Sequence, residues 1–199
     1  YQAFQIFVDN RDWPGNNIKF WRDNRVGGKW RWILYDTDFG FGIWDANAYN
    51  FNTLAFALNP NGPGWPNPPW STFVFRRLME NDHFKELFIN IYCDLLNTVF
   101  MPNFLISTLD SISNNIENMI PIHRDRWFND GNWPNSATNW GYRLGVMENF
   151  STNRRTRVIG HMINEFNLPN LAQVTVSLSP DFGGSVKLNT LDIIETNWN

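Results

Sequence analysis

Apolar positions recur along this chain with two different periods, and the change of period marks the elements. Over residues 1–9, Tyr1, Phe4 and Val8 share one helical face that Phe7 extends, so a helix is expected. Pro14 and Gly15 cannot continue it. The next run, IKFWRDNRVGGKWRWILYD, is strand-like at 18–22 and 29–35 and turns through Asn24 to Gly28, which reads as a β-hairpin. Residues 43–70 are poor in charge and dense in Asn, Pro, Gly and Trp. They read as one long loop, with NPNGPGWPNPPW favouring no regular element.

The helical period returns from 71 to 168. STFVFRRLMEN opens on a cap at Ser71 and carries Phe73, Val74 and Leu78. DHFKELFINIYCDLLNTVF opens on a capping Asp82 and aligns Phe84, Leu87, Phe88, Ile91, Leu95 and Val99 in one stripe. PNFLISTLDSISNNIENMI has Pro102 near its first turn. After the break WFNDGNWPNS, a last helix is expected over ENFSTNRRTRVIGHMINEFNL, capped at Ser151. The tail changes to period 2: LAQVTVSLS reads as a strand, PDFGG as a turn and SVKLNTLDII as a second strand. The expected architecture is α+β and mainly helical. One domain covers 1–168, and a short β segment over 169–199 starts a linker or following module.

Composition narrows the class. Of 199 residues, 43% are apolar and 17% aromatic, with 11 Trp and 17 Phe, enough for a substantial core. Charged residues make up 18% and the net charge is -3, so no basic surplus exists to grip a nucleic-acid backbone, and that partner is excluded. No apolar run reaches the roughly 18 residues a bilayer span requires. The single Cys93 lies in an apolar helical pattern and reads as a buried small hydrophobe, so no disulfide forms within the chain. The opening YQAFQIFVDN has neither an initiator Met nor a signal peptide and reads as part of a longer protein.

The chemistry concentrates at the two ends of the expected hairpin. NRDWPGNN, residues 10–17, leads into it, and YDTDFGFG, residues 35–42, follows it. A hairpin returns to its origin, so Asp12, Asn17, Asp36 and Asp38 are expected close together. Carboxylates and a carboxamide suit a hard divalent cation. Phosphoryl transfer uses such a cation to offset charge, and a carboxylate to take the proton of the attacking hydroxyl. A pair of ordinary turns would use the same residue types. Similar tripeptides elsewhere lack the set: His123-Arg124-Asp125 has Asp130 five residues on, and Asp181-Phe182-Gly183 sits in a tail turn. His83, His123 and His161 lack metal-ligand spacing. Arg76, Arg77, Arg154, Arg155 and Arg157 could meet an acidic partner, but read first as solvated helix faces or internal ion pairs.

The run NRDWPGNNIKFWRD…GKWRWILYDTDFGFG resembles the CotH family, the spore-coat-protein-H-like atypical kinases, and the resemblance covers residues 1 to about 168. It implies a protein-kinase-like C-lobe that transfers phosphate from ATP to protein Ser with Mg2+ or Mn2+. Asp12 is then the catalytic base. Asn17 and Asp36 hold metal and nucleotide, and Asp38 is a further metal ligand or supporting carboxylate. The strand-end role falls either to Asp36, which follows the strand directly, or to Asp38, which heads the literal Asp-Phe-Gly. A kinase also needs a small lobe with a phosphate-holding Lys ahead of the base loop, where only eleven residues stand. Lys19 and Lys29 come too late, so this fragment is expected to be inactive or a poor catalyst. The tail GGSVKLNTLDI resembles linker modules of secreted bacterial proteins, which implies an extracytoplasmic or cell-surface location.

Two other readings compete. One is a catalytically dead surface or structural protein. The other is a carbohydrate-associated module, with Trp and Asn of 43–70 and 127–140 stacking on sugars and Asp12 and Asp36 posing as paired carboxylates.

Overall fold

The first helix, α1 (Gln2–Val8), is mostly buried, with only Gln2 and Phe4 partly accessible. Ala3, Gln5, Ile6, Phe7 and Val8 are all buried. A helix apolar on nearly every side is stable only inside other elements. Here α2 (Thr53–Leu58), α4 (Asp82–Leu96) and α7 (Ala137–Phe166) pack around it. The computed structural model describes residues 1–60, 67–127, 137–170, 184–188 and 191–196.

Aromatic rings tie this centre together. Phe7 stacks on Phe100 with centroids 3.9 Å apart and meets Phe150 of α7 edge-on at 6.4 Å. Phe100 meets Tyr92, Tyr92 meets Phe88, and Phe88 meets both Phe166 and Phe75 of α3 (Phe73–Met79). Each such pair adds about 0.5–1.5 kcal/mol beyond the area it buries. Helix α5 (Pro102–Ile116) lies along α7, and a 3-10 turn at Glu117–Met119 leads into α6 (Ile120–Trp127). Among the described residues, no helix is long and apolar enough to cross a membrane.

The hairpin forms as expected, from β1 (Lys19–Arg22) and β2 (Trp30–Ile33), with Phe20 opposite Trp32 and Arg22 opposite Trp30. Asp23 Oδ1 accepts from the Arg25 amide at 2.9 Å, and Gly27 takes φ +81° to turn the chain. Both faces of the ribbon are exposed. Phe20 packs edge-on to Trp30, and Trp32 leans on Tyr1 at 6.1 Å, which seats the ribbon beside the start of α1.

Several expectations are corrected. The segment 43–70 is not one loop: a 3-10 turn at Ala48–Asn50 precedes α2, whose N-cap Asn52 accepts from the Ala55 amide. Ser71 does not cap α3; Thr72 stands at the cap, and the Ser71 hydroxyl bonds Asn67 and Pro68 instead. Asp82 is the first residue of α4, and Asn81 is its cap, accepting from the Phe84 amide. Ser151 is buried in mid-helix, because α7 begins at Ala137 and runs unbroken. The buried positions of α3 are Phe75 and Met79 rather than Phe73, Val74 and Leu78. On α4 they are Phe88, Tyr92 and Leu96, while Leu87, Ile91 and, beyond its end, Val99 face solvent. Cys93 is half-buried against the core rather than fully enclosed. SVKLNTLDII spans two antiparallel strands, β3 (Gly184–Leu188) and β4 (Leu191–Thr196), rather than one. The strand expected at 171–179, the break at 128–136 and most of the PDFGG turn lie outside the described residues.

Candidate active site

The site starts where α1 ends. Asp9 turns the chain out of the helix with φ +51°, and its amide closes on the Gln5 carbonyl. The next three residues are fixed by side chains. Asn10 is buried, donating to Gln5 Oε1 at 3.0 Å, and its own Oδ1 accepts from the Asp12 amide at 3.1 Å. Arg11 Nε donates to Asp9 Oδ2 at 2.7 Å, and its guanidinium covers the Phe51 ring at 4.0 Å. Asp12 is thereby presented half-exposed on a short, fully bonded loop.

The second motif is laced onto the first. The Phe41 amide donates to Val8 O at 2.8 Å, and the Arg11 amide to Phe39 O at 3.3 Å, so the Asp38-Phe39-Gly40 turn runs beside the end of α1. Gly40 permits that approach. A Cβ there would stand 3.1 Å from both the carbonyl and a methyl of Val8.

These contacts bring the four expected residues into one neighbourhood. Asn17 Nδ2 donates to Asp12 Oδ2 at 3.1 Å, which orients the carboxylate and leaves the amide oxygen of Asn17 for another partner. A hydrogen bond shared with Asp38 holds the Asp36 carboxyl above its ordinary range. Desolvation and the charges of Asp38 and Asp12 push the same way, while Lys19 opposes them. Lys19 itself lies over the Tyr35 ring at 4.7 Å. Asn17 and Asp36 both have left-handed backbones, φ +55° and +51°, conformations that Asn and Asp tolerate better than most residues. With Asp9 and Phe41, they supply four of the five non-glycine residues of positive φ among those described. Such strained positions gather at functional sites.

The donor set suits a hard cation: the oxygens are carboxylate and amide, and the charges of Asp38 and Asp12 act against ionisation of Asp36. Among the described residues, no three His, Cys, Asp or Glu side chains converge closely enough to hold a metal ion. A cation here therefore depends on carboxylates together with the Asn17 amide oxygen. A cavity of about 540 Å³ lies elsewhere, lined by Leu58, Phe73, Arg76, Met79 and Phe166 among others, and includes no residue of either motif.

The family described as CotH kinase protein matches residues 1–158. The chain belongs to the CotH family. That span takes in α1, both motifs, the hairpin between them and most of α7, and CotH membership supports a kinase-like domain. Neither the curated proteins nor the solved structures give a match.

Sequence reasoning missed the groups beneath this CotH site. Arg154 is fully buried and caps the end of α1, with Nη2 donating to Ile6 O and Nε to Phe7 O, both at 2.7 Å. Its Nη1 reaches Tyr49 O at 3.0 Å and Phe51 O at 2.7 Å. Thr53 Oγ1 accepts from Arg154 Nη2 at 2.8 Å and donates to Asp9 Oδ1 at 2.7 Å. Burial raises the Asp9 pKa, opposed first by Arg11 and then by the Thr53 hydrogen bond. A signal was present: Arg154 stands in the i+4 series Phe150, Val158, Met162, the apolar stripe of α7. Three of the other arginines are also engaged. Arg155 donates to Leu96 O and Asn97, Arg76 to Thr72 and Pro69 O, and Arg77 pairs with Glu80.

Proposed function

We propose that residues 1–158 carry the base and metal-binding part of a phosphotransferase site that moves phosphate from ATP to a protein serine with the help of Mg2+ or Mn2+. The observation that carries this reading is the Asp12–Asn17 hydrogen bond beside the Asp36–Asp38 pair, at the two ends of one hairpin, in a chain of the CotH family. Asp12 takes the proton of the acceptor hydroxyl as its oxygen bonds to the γ-phosphorus, and the bond to the β-phosphate oxygen breaks to release ADP. Asn17 holds Asp12 in one orientation for that step. Asp36 and the Asn17 oxygen would hold the cation, with Asp38 beside them. Bound there, the cation would neutralise charge on the transferring phosphoryl group.

Manganese titration followed by electron paramagnetic resonance tests this directly. The chain should bind Mn2+, and Asp36→Ala should abolish binding with the far-UV circular dichroism spectrum kept. A wild-type chain that leaves Mn2+ free contradicts the reading, as does an Asp36→Ala chain that binds normally. Phosphate transfer from labelled ATP to a serine-rich protein, measured with Asp12→Asn alongside, tests the base. An extracytoplasmic or cell-surface location accompanies this proposal, and protease accessibility on intact cells checks it.

One observation favours a second reading. Trp44 and Trp70 are 66% and 65% exposed, as a surface that stacks on sugar rings would require. Calorimetry with oligosaccharides separates the two, since heat with oligosaccharide and none with Mn2+ or ATP would favour the sugar-binding reading.

A further inference from the structure

We propose that Arg154 is a positioning residue for the Asp12 loop, acting through Thr53 and Asp9. The inference rests on the reading of Asp12, Asn17 and Asp36 as the reactive site. None of the Arg154 hydrogen bonds among the described residues goes to a carboxylate. Its guanidinium donates to four segments at once: the last turn of α1, the 3-10 turn at Ala48–Asn50, the Phe51 carbonyl and the Thr53 hydroxyl. The Thr53 hydroxyl passes this hold to Asp9 Oδ1, and the other Asp9 oxygen takes Arg11 Nε. Arg11 is covalently next to Asp12, and its amide reaches the Phe39 carbonyl of the second motif. The relay from Arg154 through Thr53 and Asp9 to Arg11 therefore ends on both motifs. These bonds tie α7 to segments 101 to 148 positions earlier in the chain. A lysine keeps the charge but lacks the planar fork that reaches such divergent acceptors.

The test uses the whole chain in four forms: wild type, Thr53→Val, Thr53→Ser and Arg154→Lys. Thr53→Val cuts the relay at near-constant volume, and Thr53→Ser restores its hydroxyl. Two readouts are taken, the Mn2+ dissociation constant and hydrogen exchange at the Arg11 and Phe41 amides, with thermal unfolding as the check on folding. Thr53→Val and Arg154→Lys are expected to weaken Mn2+ binding by about 10- to 100-fold, the usual effect of losing a group that orients a ligand. Both should speed exchange at Arg11, and Thr53→Ser should return both readouts towards wild type. Wild-type affinity in Thr53→Val overturns the proposal, as does unaltered exchange at Arg11, or a Thr53→Ser chain as impaired as Thr53→Val. If the wild type itself binds no Mn2+, the metal reading falls, and the exchange results alone then decide whether the relay holds the loop.

Discussion

The layer beneath the site and the rim above it are built on opposite principles. Beneath, Arg154, Thr53, Asp9 and Asn10 are buried, and the charges of Arg154 and Asp9 are met by hydrogen bonds. Above, Asp36 and Asp38 stand exposed and repel one another, on a ribbon whose rings also face solvent. The charges of the lower layer are thus met within the chain. The upper one is electrostatically incomplete, and a cation would relieve it. Shape is thus set by groups that take no part in the proposed chemistry, which leaves the rim free to carry unfavourable charge.

The largest expected break in this contrast comes from below. Arg154→Met leaves three main-chain segments and the Thr53 hydroxyl without their donor, and Asp9 without support, and should lower stability by about 3–5 kcal/mol. Urea unfolding followed by tryptophan fluorescence would show it. Gly40→Ala comes next. Its new methyl meets the Val8 carbonyl and side chain at 3.1 Å, so the second motif must shift, at about 1–3 kcal/mol and with weaker Mn2+ binding. Asp36→Asn marks the opposite pole: it should leave the unfolding midpoint unchanged or slightly raised, because a repulsion is removed, while abolishing Mn2+ binding in calorimetry. An equal loss of stability in Asp36→Asn and Arg154→Met would erase the distinction between layers.

The smallest effect sharpens the electrostatics. The hydrogen bond shared with Asp38 and the neighbouring charges hold the Asp36 carboxyl above the ordinary carboxylate range, so the folded chain holds more protons than the unfolded chain in the window between its unfolded and folded pKa. Stability therefore falls as pH rises through that window, whereas Mn2+ affinity rises, because the cation must displace the proton. Asp38→Asn removes the neighbouring charge and should move the rise in Mn2+ affinity to lower pH, towards the ordinary carboxylate range.

Much of the upper layer was legible in the sequence, because its chemistry is local. The five-residue interval from Asp12 to Asn17 and the hairpin between the motifs place all four site residues within a 27-residue stretch. The lower layer was not, because its partners lie far apart in sequence. Arg154 among Arg155 and Arg157 looks like a surface cluster until the Phe150–Val158–Met162 series is weighed against it. Helix α4 shows the same limit. Leu87, Ile91 and Val99 form one apolar series, and Phe88, Tyr92, Leu96 and Phe100 form another displaced by a single residue. The rings of Phe7 on Phe100, and of Phe75 and Phe166 on Phe88, decide which is buried.

The bond from Arg154 to Phe7 crosses 147 positions, with consequences for how the protein is made. At ~5–20 residues per second, a ribosome delivers the first helix roughly 7–30 s before the arginine that caps it. Throughout that interval the nascent chain carries Ile6, Phe7 and Val8 without their final cover. A chain ending before Arg154 would carry both motifs in full but lack the guanidinium that ties the end of α1 to the 3-10 turn beneath them.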